Sequence, residues 1–466
     1  MSSPMFPAVG SNGRLPEKHL PEHLAKAGMD ATYGSKAEVA AKLSKTQADA
    51  AYAKKAGLLS ALMAAAPQMP PVNPTPPTIT FGSSYLLTTN PRTFVPTNGE
   101  VRLLGFSPLV SGSDYFNDSA GTGNNQGGWG VEFDIYGTEV EFALNQQSAT
   151  GRVWFVIDGQ LASAEPVQGK ASTGFFTAHV ALGGSAAWHR VKLLGWQVSI
   201  RLVRVNNASA IMPTPPKRLR IGAIGDSFGW ASGDQYTAVE SWPWLMNLMT
   251  DAEVHQNAVS GTGYTVSPTF GQASRASKTV EFKPDVVVIE GSGNDSAATY
   301  AQLNSAAAAL YTYLNTNLPG VPVIVFLAMP RDDALTIAPE RAKVLNAVRD
   351  AALAAPNVIG IVDSVGTIDP LPAYTTGATY AAGARVSYLG AVYQARVAIS
   401  SAPATLADAS WTRLSWYSGT GNSATPAGDG NRDTVLGADD HHPSRAGQRY
   451  LTVRMLDSMR SILAAA

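Results

Sequence analysis

The chain has no cysteine. That excludes disulfides, a thiolate nucleophile and any cysteine-ligated metal. Charge is scarce as well: Asp, Glu, Lys and Arg make up 15% of the residues and nearly cancel, to a net charge of −1. Without a basic excess the chain is not built to hold a polyanion, so nucleic acid is not an expected partner. Long apolar runs are missing too. No stretch of about 20 apolar residues occurs, so no membrane span is expected. The opening residues, MSSPMFPAVGSNGRLPEK, have no apolar core of the kind a secretion signal needs. Work outside a cell would then require another carrier. What is present is 466 residues of 45% hydrophobic content, enough for two or three globular domains.

Residues 1–65 have a texture of their own. Leu-Pro-Glu occurs at Leu15 and again at Leu20, and DATYGSKAEV (Asp30–Val39) recurs as DAAYAKKAGL (Asp49–Leu58). A short repeat of this sort cannot bury a core alone. The segment reads as helical or elongated, for attachment or oligomerisation, with Val39, Leu43, Leu58, Leu59, Leu62 and Met63 on one helical face. Residues 66–78, centred on PQMPPVNPTPP, read as a proline-stiffened linker. From 79 to 211 the pattern changes to period two, as in Val131–Ile135, Arg152–Val156 and Val198–Leu202, broken by glycine-rich turns. Many short alternating strands predict an all-β sandwich, jelly-roll-like at this length. His179 and His189 fall here and read as structural. Trp129 and Trp196 read first as core, with sugar stacking as the alternative.

Beyond a second proline-rich joint, Met212–Pro216, residues 217–466 alternate strand and helix. Strands are expected at Leu219–Ile224, Val254–Val259, Val286–Ile289, Val321–Leu327 and Val358–Val362. Helices are expected at Trp242–Met249, Ala297–Leu314, Pro339–Ala354 and Ser444–Leu463. That rhythm predicts a doubly wound, mostly parallel sheet with helices on both faces. Residues 374–416 interrupt it with β-type sequence and read as a small inserted module.

The candidate chemistry begins at Arg218–Gly229, RLRIGAIGDSFG. A buried strand runs into a Gly-Asp-Ser turn, which puts Ser227 at the carboxyl end of a strand, where open α/β sheets bind ligands. Ser227 is therefore a candidate nucleophile. A serine needs a base, and Asp439-Asp440-His441-His442-Pro443 stands near the C-terminus. An Asp and a His three apart can meet, with the carboxylate accepting from Nδ1–H and Nε2 left for the serine proton. Asp439 and His442 have that spacing; His441 would point elsewhere. The same four residues also make a reasonable ligand set for a divalent cation. Donors for an oxyanion are available after two other strands, at Gly261 within Ser260–Gly263 and at Asn294 within Gly291–Asp295. Asp295, Phe228 and Tyr393 are expected to contact substrate.

In order, these blocks resemble the SGNH hydrolases, the GDSL-type esterases and lipases. The resemblance covers about residues 217–466. It implies that Ser227 is the nucleophile, that Ser227, Gly261 and Asn294 form the oxyanion hole, and that His442 is the base oriented by Asp439. It implies no metal or cofactor. Phe228 stands where the family's short name has Leu, and the glycine before Asn294 directly precedes it, at Gly293. The phrases VWFVIDG and AAWHRVKLLGW resemble the β-sandwich that precedes the catalytic domain in some carbohydrate esterases. The insert, with Tyr380, Gly383, Val386, Tyr388, Gly390, Tyr393, Ala395 and Trp411, resembles a small chitinase-type carbohydrate-binding module, with Arg396-Val397-Ala398 in place of that module's Trp pair. Residues 1–65 resemble the attachment regions of bacteriophage tail fibre and tail spike proteins. Together these imply an esterase borne on a virion tail that deacylates host envelope glycans or lipids. Its N-terminal segment would meet other tail proteins, and trimers are the natural expectation for a fibre. A receptor-binding adhesin with little turnover, or a free bacterial carbohydrate esterase, are the alternatives.

Overall fold

Five short buried strands, three of them runs of Val and Ile, supply the centre of a computed structural model. The model describes most of residues 68–465; the longest stretches outside the description are 117–127, 231–237, 330–338, 365–371 and 417–431. The attachment segment expected at 1–65 lies outside the described residues.

The five strands are Leu219–Gly225, Ala252–Ala258, Val286–Glu290, Val323–Phe326 and Val358–Val362. They form one parallel sheet in which Ala252–Ala258 lies outside Leu219–Gly225, followed by the other three in chain order. The order reverses at Leu219–Gly225, so the crevice beside its carboxyl end is the place where such sheets bind ligands. Both faces of its inner strands are largely apolar. Val286, Val288, Ile324 and Phe326 face a core shared with the helices Trp242–Met249 and Arg445–Ala465. Val287, Ile289, Val323 and Val325 face a second core shared with Tyr300–Asn317 and Pro339–Ala354. Each such fully buried side chain contributes roughly 1.5–3 kcal/mol over leaving it in water. Parallel strands covered on both sides read as continuous apolar runs rather than as alternation. One helix, Ala273–Phe282, was not expected from the pattern.

The sandwich is present as two antiparallel sheets of seven and six strands around one core, with Val131, Phe133 and Ile135 from one sheet meeting Val140, Phe142 and Leu144 from the other. Its long strands, from Trp129–Gly137 through Val198–Val205, cross between the sheets at nearly every step. That order does not establish a jelly-roll connectivity. Trp129 is buried, its Nε1 donating to the Val198 carbonyl, and Trp196 packs on the core beneath the parallel sheet. His179 pairs with Glu139 at 2.9 Å and His189 with Asp158 at 2.8 Å, both within the sandwich.

The proline-rich stretches are docked rather than free. Val72 bridges Leu161, the Pro71 carbonyl accepts from Leu161 N–H at 2.9 Å, and Met69 packs on the shared core. The joint after residue 211 continues a sandwich strand to Pro213, and the Thr214 hydroxyl reaches Glu132 at 3.0 Å. These prolines therefore do not act as a spacer where they are described. The sandwich and the α/β unit share a core in which Leu104, Trp154 and Leu194 meet Trp242 and Trp244. Arg102 adds an ion pair to Glu253 at 2.7 Å, and Gly128 N–H donates to Gln256 at 3.0 Å. A Cβ on Gly128 would sit 2.1 Å from the Trp244 Nε1, so only glycine fits there.

The insert has its own three-stranded antiparallel sheet, Arg385–Tyr388, Ala391–Ala395 and Trp411–Arg413, over a small core of Val386, Ala395, Ile399 and Trp411. Tyr374 and Tyr380 stack at 5.8 Å, and Trp411 meets both edge-on at 5.6 and 5.3 Å. Those rings build the module's interior.

Candidate active site

Register brings the loops together. Ile224 lies level with Asn257 on one side and Ile289 on the other. The residues that follow each strand therefore emerge side by side, with Ser227 between Gly261 and Asn294.

Ser227 opens a short helix, Ser227–Trp230, and is buried. The turn before it is fixed by Asp226. One carboxylate oxygen accepts from Phe228 N–H at 3.0 Å, and the other from Gly293 N–H at 3.4 Å. The elbow and the Asn294 loop are thus tied through one side chain. Gly261 is exposed, at φ +73°, with open space where a Cβ would stand. Its neighbour Thr262 is buried. The Asn294 amide donates to the Thr262 carbonyl at 2.8 Å, which joins the two expected oxyanion loops directly.

Asp295 does something other than expected. It is fully buried. Its carboxylate accepts from the N–H groups of Tyr264, Thr265 and Val266, at 2.8, 2.8 and 3.2 Å, and from the hydroxyls of Thr265 and Ser292, each at 2.5 Å. Four of these five donors belong to the 264–266 loop, so the reading of Asp295 as a substrate contact is corrected to a loop anchor. Phe228 is corrected likewise. It is buried in the shared core, with its ring 5.8 Å from that of His442. It supports the imidazole rather than offering a free surface. Tyr393 lies on the insert's middle strand with its ring against Tyr388 at 6.2 Å, and it belongs to that module's packing.

The base side is local. His442 Nδ1 is 2.6 Å from Asp439 Oδ2, and Asp439 Oδ1 accepts the backbone N–H groups of His441 and His442 at 3.0 and 2.9 Å. Burial works to raise the Asp439 pKa, but the bonds from the His442 ring and from both backbone N–H groups outweigh it and hold the carboxylate below its ordinary value. The ring of His441 stands edge-on to that of His442, 4.9 Å away. Asp440 lies outside the described residues. Among the described residues no cluster of three or more His, Asp or Glu is gathered as for a metal.

Two connecting residues had no signal in the pattern. Gln448, buried on the last helix, donates to the Phe228 carbonyl at 2.7 Å and accepts from Trp242 N–H at 2.9 Å. It joins the nucleophile's helix to the helix that follows His442. Arg445, three residues after His442, pairs with Glu240 at 2.7 Å and with Glu165 of the sandwich. The end of the 439–442 loop is thus braced from both domains.

No protein-family model matches the chain, and no curated protein matches it. Solved structures similar to it include a family two carbohydrate esterase from Cellvibrio japonicus, at 14% identity over 59% of this chain and 89% of that one, with a TM-score of 0.46. An active-site mutant of a family two carbohydrate esterase from Clostridium thermocellum is similar over 81% of this chain and 100% of that one, at 16% identity and a TM-score of 0.47. A salicylyl-acyltransferase from a tetracycline biosynthetic pathway is similar at 13% identity over 59% of this chain and 86% of that one, with a TM-score of 0.47.

Proposed function

We propose that the chain is a serine carboxylic ester hydrolase that removes acyl groups, acetyl first among them, from a surface glycan. The observation that carries the reading is the 2.6 Å Asp439–His442 bond in a loop whose imidazole packs on Phe228, the residue next to Ser227. Ser227 Oγ attacks the ester carbonyl while His442 Nε2 takes its proton. Asp439 holds the ring through Nδ1 and stabilises the imidazolium that forms. The backbone N–H groups of Ser227 and Gly261 and the Asn294 amide receive the negative charge on the carbonyl oxygen. The sugar hydroxyl departs with the proton from His442. Water then gives up a proton to the same nitrogen, attacks the acyl-serine and releases the carboxylic acid.

The glycan part of the reading draws support from the sandwich surface. Tyr136 and Trp188, cross-strand neighbours on its six-stranded sheet, are exposed with rings 5.7 Å apart. The finer reading is an enzyme carried on a virion tail. Its support is the repeat within residues 1–65, and particles labelled by antibody to that segment under the electron microscope are the expected outcome.

The test of the activity is hydrolysis of p-nitrophenyl acetate, butyrate and octanoate, together with acetate release from O-acetylated polysaccharide. Ser227→Ala is expected to lower turnover by roughly 10⁴–10⁶-fold, as loss of a serine nucleophile does. A preference for acetate over octanoate supports the glycan substrate, and the reverse preference points to lipid. Equal inertness of both proteins would leave the adhesin reading in its place.

A further inference from the structure

Beneath the elbow lies a cation that the mechanism above does not use. Arg275, on the helix Ala273–Phe282, is fully buried. Its guanidinium has five N–H donors, and five acceptors meet them. Nη2 donates to the Gly225 carbonyl at 2.9 Å and to the Asn257 carbonyl at 2.6 Å. Nε donates to Asn257 Oδ1 at 3.2 Å. Nη1 donates to the Thr262 hydroxyl at 2.9 Å and to the Pro268 carbonyl at 3.0 Å. The plane lies over the Phe270 ring at 5.0 Å.

The choice of acceptors is informative. Gly225 is two residues before Ser227, Asn257 is near the end of the neighbouring strand, and Thr262 directly follows Gly261. One rigid fork therefore gauges the separation between the nucleophile's turn and the loop carrying the Gly261 N–H. Thr262 is held from its other side by Asn294, through its carbonyl, and its hydroxyl also donates to the Val259 carbonyl at 2.7 Å. Any shift of Thr262 moves both loop donors together. A merely space-filling residue would not be charged, because bringing a charge into a buried site costs several kcal/mol before its bonds are counted. Burial presses the Arg275 pKa down to about 9 while Asp226 pulls it up, and the side chain keeps its charge at neutral pH.

We propose that Arg275 is the positioning residue of the oxyanion site: without touching substrate, it fixes where the Gly261 N–H and the Asn294 amide stand relative to Ser227. This rests on the esterase reading above. Oxyanion donors act only when aimed at where charge develops, and displacement by an ångström lowers rate rather than ground-state binding.

The test is steady-state hydrolysis of p-nitrophenyl acetate by the full chain, beside Arg275→Lys, Arg275→Ala, Thr262→Val and Ser227→Ala. Lysine keeps the charge but has no fork. Arg275→Lys is expected to lose about tenfold or more in kcat with KM changed by less than about twofold, the signature of an interaction made in the transition state. Added guanidinium ion, below the concentration that unfolds the protein, should restore part of the kcat of Arg275→Ala, while urea should not. Thr262→Val, which removes the loop's contact while leaving Arg275 in place, should repeat the kcat loss should the Arg275 variants fail to fold. A folded Arg275→Lys, or a folded Thr262→Val, that keeps the wild-type kcat overturns the assignment and leaves Arg275 a scaffold residue, with the esterase reading intact. A wild type no faster than Ser227→Ala overturns the esterase reading itself, and the assignment falls with it.

Discussion

The two halves of the candidate site are built in opposite ways. The half that holds Ser227, Gly261 and Asn294 is assembled from three strand ends and tied by buried side chains that reach across the chain: Asp226 to Gly293, Arg275 to Gly225 and Thr262, and Asp295 to residues 264–266. The half that holds His442 is made within four residues. Asp439 accepts the ring N–H and two backbone N–H groups of its own loop, and its side chain is 39% exposed. The first arrangement gives fixed geometry, as the proposed oxyanion donors would require. The second holds the His442 imidazole in orientation while leaving it partly open to water. Phe228 and Gln448 are the points where the halves touch.

The sharpest way to break that division is in the local half. Asp439→Asn keeps the shape but loses the charge and the acceptor for Nδ1–H. It is expected to lower kcat by about 10⁴-fold with the protein's melting temperature little changed, since a wrong imidazole tautomer disables the base without disturbing packing. Steady-state kinetics beside a thermal melt check it. A tenfold effect or less would mean that His442 is oriented by something other than Asp439. The Arg275 variants come next in size and act on the buried half, where rate and stability should fall together.

The smallest effect is on acid stability, and it also belongs to the buried half. His255, on the strand that leads to Gly261, is fully buried. Its pKa is lowered from 6.5 to about 3, by burial first and then by Lys278 and Arg220. The unfolded chain takes up a proton near pH 6.5 and the folded one does not until about pH 3. Stability linked to His255 is therefore complete above pH 6.5 and drains as pH falls through that window, at a slope of up to about 1.4 kcal/mol per pH unit. Denaturant unfolding from pH 7 to pH 4 should show His255→Gln with a flatter profile than the wild type, whatever its absolute stability. Parallel profiles would show that His255 is not the group that titrates.

What could be read from the sequence follows the same division. The Asp439–His442 pair is a spacing, so one line of sequence contains it. The elbow is a strand and a turn, also local, and Val286–Glu290, Val323–Phe326 and Val358–Val362 announce themselves because burial makes each a nearly continuous apolar run. The cross-ties leave no such mark. Helix Ala273–Phe282 leaves no periodic signal because its buried face includes Arg275 and Thr279, both fully buried, where a periodic pattern expects aliphatic residues. Asp295 looked like a substrate contact because its partners, the N–H groups of 264–266, lie some thirty residues away. The prolines of 66–78 looked like a spacer because nothing in PQMPPVNPTPP says that Val72 will bridge Leu161. In the sandwich, period-two alternation located the strands, but which strand pairs with which depends on contacts between sheets.

The central claim is that Ser227 is a nucleophile activated by His442. Its most direct test is covalent capture: incubation of the full chain with a fluorophosphonate, followed by intact-protein mass and peptide mapping. A single phosphonyl adduct is expected on Ser227, absent from Ser227→Ala and formed far more slowly in His442→Ala. No adduct, or an adduct that persists in Ser227→Ala, would contradict it.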